Sequence, residues 1–116
     1  MKYRIDYVRL VSGHVPFIRF LDDLSGAERA EVLAAVEELR EWRERDMIPP
    51  SSISSHLRDG IFELKVRHAT RITRSLYFYS AGAMIIFTHG FVKKTRKAPP
   101  QEIEKAMRYH SQYNLS

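Results

Sequence analysis

The chain has 116 residues, with 19 Lys and Arg against 14 Asp and Glu and a formal net charge of +5 at pH 7. It contains no cysteine, which excludes disulfides, thiolate metal sites and cysteine nucleophiles and suits a reducing cytoplasm. Its length predicts a single domain over residues 1–116, and its 44% hydrophobic content is ordinary for a globular protein. The charged start MKYRIDYVRLV is unlike a signal peptide, and no apolar run reaches the roughly 20 residues of a membrane span.

The first half of the chain predicts one strand followed by a helical hairpin. Residues 3–11 alternate in part and predict the strand, and residues 14–24 predict a short helix that starts near Pro16. The pattern Ser25-Gly-Ala-Glu28 is typical of a capping box and predicts a long helix over about 26–45. The apolar residues at helical spacing are Phe17, Phe20, Leu21 and Leu24 in the first helix, and Val32, Leu33, Val36, Leu39 and Trp42 in the second.

The second half predicts a strand meander and a last helix. Asp59–Gly60 is a strong two-residue turn signal and predicts a hairpin, and Pro100 predicts the start of a helix that continues to about Tyr113. The order β-α-α-β-β-β-α indicates an α+β domain whose helices cover one sheet face and whose other face can stay open to solvent. The predicted strand segments are 56–58, 61–67, 71–79 and 84–90.

Positive charge is concentrated in this second half. Residues 22–46 hold nine acidic and four basic side chains, whereas residues 56–97 hold nine basic and two acidic ones. Lys and Arg grouped on one part of a domain are typical of nucleic-acid binders, although a solvated basic face is the alternative interpretation.

Strand alternation predicts which side chains share the open face. Glu63, Lys65 and Arg67 alternate with apolar residues and should line that face, and Arg74 of the next strand should join them. Arg74 also shares its side with Leu76 and Phe78, so either a bulge intervenes or part of this face is apolar and covered.

The five histidines show no metal-binding spacing such as H-x-x-x-H or H-E-x-x-H, so we expect no metal site and no cofactor. His89 ends the last strand beside the basic run Lys93–Lys97 and is a candidate for a catalytic or binding role. A packed or capping histidine is the alternative. No P-loop, G-x-S-x-G or dinucleotide fingerprint is present.

The segments VPFIRFLDDL, LRDGIFELKVR, RSLYFY, HGFVKKTRKAP and EIEKA resemble the RelE/HigB superfamily of toxins, most closely its phage-derived, HigB-like branch. The resemblance runs from about residue 3 to residue 113. It implies a RelE-like fold, with a small antiparallel sheet, an N-terminal helical hairpin and a short C-terminal helix. It also implies the toxin of a type II toxin–antitoxin pair. Many members are metal-independent mRNA interferases that cut messages in the ribosomal A site, while a related ParE-like branch inhibits DNA gyrase and cuts no RNA.

The resemblance also implies residue roles. Lys65 falls on a basic strand residue that faces the scissile region, Arg74 on the arginine thought to grip the phosphate, and Lys94 on an arginine after the last strand. The general base stays open, because Glu63 replaces a lysine and no tyrosine follows the basic run. Its candidates are Glu63, His89, a lysine of depressed pKa, Tyr109 and Tyr113. The residues expected to bind the RNA are Arg67, Arg71, Lys93, Arg96 and Lys97.

The expected partners follow from the same resemblance. They are the ribosome with its mRNA, and a cognate HigA-like antitoxin with a helix-turn-helix. The toxin would contact operator DNA only through this antitoxin. We expect a cytoplasmic protein without a membrane partner. Three functions stay open: the interferase, the gyrase inhibitor, and a toxin remnant that binds only its antitoxin or operator DNA.

Overall fold

The computed structural model describes residues 1–113, which form a five-stranded sheet and three helices. This confirms the α+β class and the helical hairpin near the N-terminus. Residues 56–58, predicted as the first arm of the hairpin, belong to an edge strand of their own, so the order has five strands, one more than the predicted order β-α-α-β-β-β-α. The elements are β1 (Arg4–Tyr7), α1 (Pro16–Asp22), α2 (Gly26–Glu44), β2 (Ser54–Arg58), β3 (Ile61–His68), β4 (Arg71–Ser80), β5 (Met84–Val92) and α3 (Pro100–Tyr113).

The strands lie in the order β1-β5-β4-β3-β2. Strands β2 to β5 form the predicted antiparallel meander. Strand β1 pairs in parallel with β5, from Arg4 opposite Met84 to Tyr7 opposite Phe87, so the sheet is mixed rather than antiparallel. A parallel neighbour is possible here because the helices and three strands separate β1 from β5 in sequence, which provides the long crossover that parallel pairing needs.

Helices α1 and α2 pack on one face of the sheet, and local signals set where they start. Pro16 occupies the first turn of α1, and the Ser25 hydroxyl accepts a hydrogen bond from the Glu28 backbone N–H at 3.1 Å at the start of α2. Leu33 is 40% exposed and lies outside the buried stripe, contrary to the prediction, because α2 meets the sheet along a narrower face. The core between helices and sheet contains Phe17, Phe20, Leu21, Leu24, Val32, Val36, Leu39, Leu64, Tyr77, Ile85 and Phe87.

Helix α3 covers the opposite face, so the prediction of an open face is wrong for its apolar part. Leu76 and Phe78 pack there against Ile103 and Ala106, because the apolar side of α3 needs a surface on which to be buried. This cover explains why Arg74 shares its side with two apolar residues. A bulge is also present, but it lies in β5: Leu76 pairs with His89 and Tyr77 with Phe87, which leaves Thr88 without a partner position.

Gly90 of β5 allows close contact with α1. A Cβ atom at this position would lie 2.4 Å from two ring atoms of the buried Phe20. We expect Gly90→Ala to lower the free energy of unfolding by roughly 1–3 kcal/mol through overpacking, measured by urea denaturation. Gly26→Ala is the control, since nothing lies within 4 Å of its Cβ position. Equal stability of the two variants would contradict this packing.

Candidate functional site

The basic run Lys93–Lys97, called here the basic segment, follows directly after β5. The Lys93 backbone N–H donates to the Ile72 carbonyl at 2.7 Å, which ties the start of the segment to β4. The Thr95 hydroxyl donates to the Lys97 carbonyl at 2.5 Å. Lys94, Arg96 and Lys97 are exposed, so the segment presents three cations to solvent at one end of the sheet.

Arg74 lies beneath the basic segment. Its Nη2 donates to the carbonyl oxygens of Thr95 at 3.3 Å and of Arg96 at 2.6 Å. The side chain is only 2% exposed. Sequence alternation places Arg74 on the correct face of the sheet, but the side chain holds backbone instead of lining an open surface.

The Glu63 carboxylate forms a buried ionic cluster with Arg74 and Lys65. Its Oε2 lies 3.4 Å from Arg74 Nε and its Oε1 lies 3.6 Å from Lys65 Nζ. The Ser55 hydroxyl donates to Oε1 at 3.4 Å, and Lys65 Nζ donates to the Ser51 carbonyl at 3.1 Å. Lys65 stands directly opposite Arg74 in the pairing of β3 with β4. The structure therefore brings three of the predicted site residues together.

Two cavities flank the basic segment, and Arg96 lines both. The first, of about 370 Å³, has four cationic side chains in its wall and no carboxylate; the cations are Arg71, Lys93, Lys94 and Arg96. The second, of about 320 Å³, has Glu63 in its wall together with Lys97 and His56. His56 was not singled out from the sequence. The one sequence signal for placing His56 near this cavity is its position just before the Asp59–Gly60 turn, where it pairs with Phe62 across the hairpin.

His89 lies apart from this ionic cluster. Its Nε2 is 3.1 Å from Glu102 Oε1 on α3, and its Nδ1 is 3.1 Å from the Thr88 hydroxyl. Burial lowers the pKa of His89 to about 4, against the opposing effect of the Glu102 carboxylate. The ring is therefore neutral at pH 7, and both of its nitrogens face a polar group of the protein. It lines a separate cavity of about 350 Å³ between α1 and α3.

Comparison of the sequence with known protein families shows which family the chain belongs to. Residues 19–110 match the family described as phage derived protein Gp49-like (DUF891). The chain belongs to the Gp49-like family. The match begins within α1 and covers α2, strands β2 to β5, the basic segment and most of α3. This family is associated with RelE-like toxins of toxin–antitoxin systems. No curated protein matches the chain.

The buried His89 should make this Gp49-like protein sensitive to acid. A histidine whose folded pKa is depressed takes up its proton first in the unfolded state, so stability falls as the pH drops from 6.5 towards 4. The expected loss is roughly 3 kcal/mol. Urea unfolding across this range should show a shallower pH dependence for His89→Gln, while His14→Gln, at an exposed histidine, should keep the wild-type dependence. Identical pH dependence in all three proteins would contradict this role.

The remaining candidate residues of this Gp49-like protein have different surroundings. Arg67 is exposed on β3. Arg71 Nε donates to Glu28 Oε2 at 2.9 Å, and this hydrogen bond holds the pKa of Glu28 below its usual value. The Tyr109 ring packs edge-on against His89, with ring centroids 5.5 Å apart, and the Tyr113 hydroxyl donates to Asp6 at 2.8 Å.

Among residues 1–113, no group of three His, Asp or Glu side chains is arranged to hold a metal ion. Within the described helices, none is both long and apolar enough to cross a membrane.

Proposed function

We propose that this Gp49-like protein is the toxin of a type II toxin–antitoxin pair, of the HigB-like branch, and that it cleaves mRNA on the ribosome. The observation that carries the proposal is the cavity walled by Arg71, Lys93, Lys94 and Arg96 without a carboxylate. Arg71 is paired with Glu28, so Lys93, Lys94 and Arg96 give this wall its excess positive charge. Like charges on one wall repel, and a polyanion relieves that repulsion while releasing its own counterions. The RNA backbone is the polyanion that this family association favours.

The second cavity supports the catalytic part of this proposal. The ribose 2′-OH attacks the adjacent phosphate and the bond to the 5′-oxygen breaks. A base must accept the 2′-OH proton, the departing 5′-oxygen must take up a proton, and cations must stabilise the developing charge. Glu63 lines this cavity together with Arg96 and Lys97. We assign proton acceptance to the Glu63 carboxylate, which Lys65 flanks, and charge stabilisation to the exposed cations of the basic segment, Lys94 included.

The partners proposed with this function are the ribosome, its message and a cognate antitoxin with a helix-turn-helix. The antitoxin would carry any contact with operator DNA, and the pair would act in the cytoplasm. An acidic region of the antitoxin would suit the basic segment, because both partners would lose unfavourable self-repulsion on binding.

A second candidate function is inhibition of DNA gyrase without nuclease activity. The burial of the acid and base candidates favours it: the side chain of Glu63 is 5% exposed and that of His89 is 6% exposed. A protein that only binds needs no accessible proton acceptor.

Incorporation of labelled precursors after induced expression separates these two functions. An interferase stops leucine incorporation within minutes while thymidine incorporation continues for longer. Early loss of thymidine incorporation with intact leucine incorporation would favour the gyrase inhibitor. Normal incorporation of both leucine and thymidine would indicate an inactive toxin remnant and would overturn the proposal.

A further inference from the structure

We propose that Arg74 is a positioning residue, which holds the basic segment in the shape that receives RNA and does not itself bind a phosphate. The part of this inference that concerns RNA rests on the proposed function. Its structural part concerns the backbone of residues 93–97 and can be tested separately.

The hydrogen bonds of Arg74 are directed at the protein's own backbone. Nη2 donates to two successive carbonyls, those of Thr95 and Arg96. Bonds from a charged donor are stronger than neutral ones, and the planar guanidinium fixes both acceptors at once. Nη2 is therefore committed to the protein's own backbone, while Nε and Nη1 are buried and have no hydrogen-bond partner among residues 1–113.

Arg74 is also too deep to meet a ligand that lies on the segment. The residue is 1% exposed, and its remaining nitrogens, Nε and Nη1, are shielded from solvent. The Glu63 carboxylate, 3.4 Å from Nε, offsets its charge. An arriving phosphate would instead meet the exposed side chains of Lys94, Arg96 and Lys97.

The basic segment needs such support. Residues 93–97 belong to no strand or helix, and their cations repel one another. The Lys93 N–H fixes the start of the segment, and α3 begins at Pro100. Arg74 holds the middle, at Thr95 and Arg96. Losing these two bonds would let the three exposed cations spread apart, and their joint affinity for a backbone would fall.

Tryptic cleavage tests the structural part, because Lys94, Arg96 and Lys97 are themselves trypsin sites. In Arg74→Gln, cleavage within residues 94–98 should be roughly tenfold faster than in the wild type, reflecting the lost charge-assisted bonds. Arg45→Gln, which removes an exposed charge at the C-terminal end of α2, should match the wild type. If Arg74→Gln folds poorly, Glu63→Gln/Arg74→Gln removes both buried charges and should show the same acceleration. An unchanged cleavage rate in these folded variants would overturn the proposal.

A double-mutant cycle tests the RNA part, with a 2′-O-methylated RNA of about 12 nucleotides as an uncleavable probe. Arg74→Gln should weaken binding about tenfold in the wild-type background. It should weaken binding less than about twofold where Lys94, Arg96 and Lys97 are already glutamine. An equal loss in both backgrounds would mean that Arg74 contacts the RNA itself, which overturns the inference.

The two tests also separate failure of the inference from failure of the proposed function. If the triple glutamine variant binds the RNA as tightly as the wild type, RNA binding by the basic segment is refuted. The cleavage rates would then still decide whether Arg74 holds the segment.

Discussion

Replacing Lys94, Arg96 and Lys97 together by glutamine is expected to weaken RNA binding by roughly 100-fold near physiological salt and to abolish toxicity. The three side chains are exposed, so the substitutions remove charge without disturbing the core. Each lost phosphate contact should also lower the magnitude of the slope of log K against log salt by about 0.7 for single-stranded RNA. Fluorescence anisotropy at several salt concentrations measures both the affinity and the slope.

The matched control for this triple variant is Lys2→Gln/Arg4→Gln/Arg45→Gln, which removes the same number of exposed cations from other parts of the surface. It should retain toxicity and most of the affinity. If both triple variants lose affinity equally, the loss is caused by the lower net charge, and the basic segment has no specific role in RNA binding. A toxic, folded segment variant would show that these cations are not part of the functional site.

Removing one member of the Arg74–Glu63 pair is expected to produce the largest loss of stability. Arg74→Gln leaves a carboxylate that is 5% exposed, with the Lys65 ammonium 3.6 Å away, and should cost about 3–5 kcal/mol. The melting temperature should then fall by roughly 10 °C or more, as measured by calorimetry. Glu63→Gln/Arg74→Gln should cost less than the single change, because no lone charge stays buried.

The exposed pair of Arg58 and Asp59 provides the control for that measurement. Its side chains are 44% and 58% exposed, so Arg58→Gln should cost less than about 1 kcal/mol. If Arg74→Gln costs no more than Arg58→Gln, the buried pair does not stabilise the fold.

Local signals allowed much of the fold to be predicted from the sequence. Pro16 and the Ser25–Glu28 capping box mark helix starts, and Asp59–Gly60 marks the hairpin turn. The parallel pairing of β1 with β5 could not be predicted in the same way. It joins Arg4 to Met84, and no nearby residue specifies it.

The candidate site shows the same division between local and distant effects. A period of two places Glu63, Lys65 and Arg74 on one face, because alternation is local to each strand. The burial of Arg74 depends on carbonyls 21 and 22 residues further along the chain, and composition and spacing do not predict such contacts. The partner of His89 is likewise distant, since Glu102 lies 13 residues away on α3.

The most direct test of the central claim is a translation reaction with purified protein, ribosomes and a defined message, in which new 5′ ends are mapped by primer extension. We expect cuts within the message that need translating ribosomes and that disappear with the Lys94, Arg96 and Lys97 glutamine variant. Intact message with normal translation would contradict the interferase account.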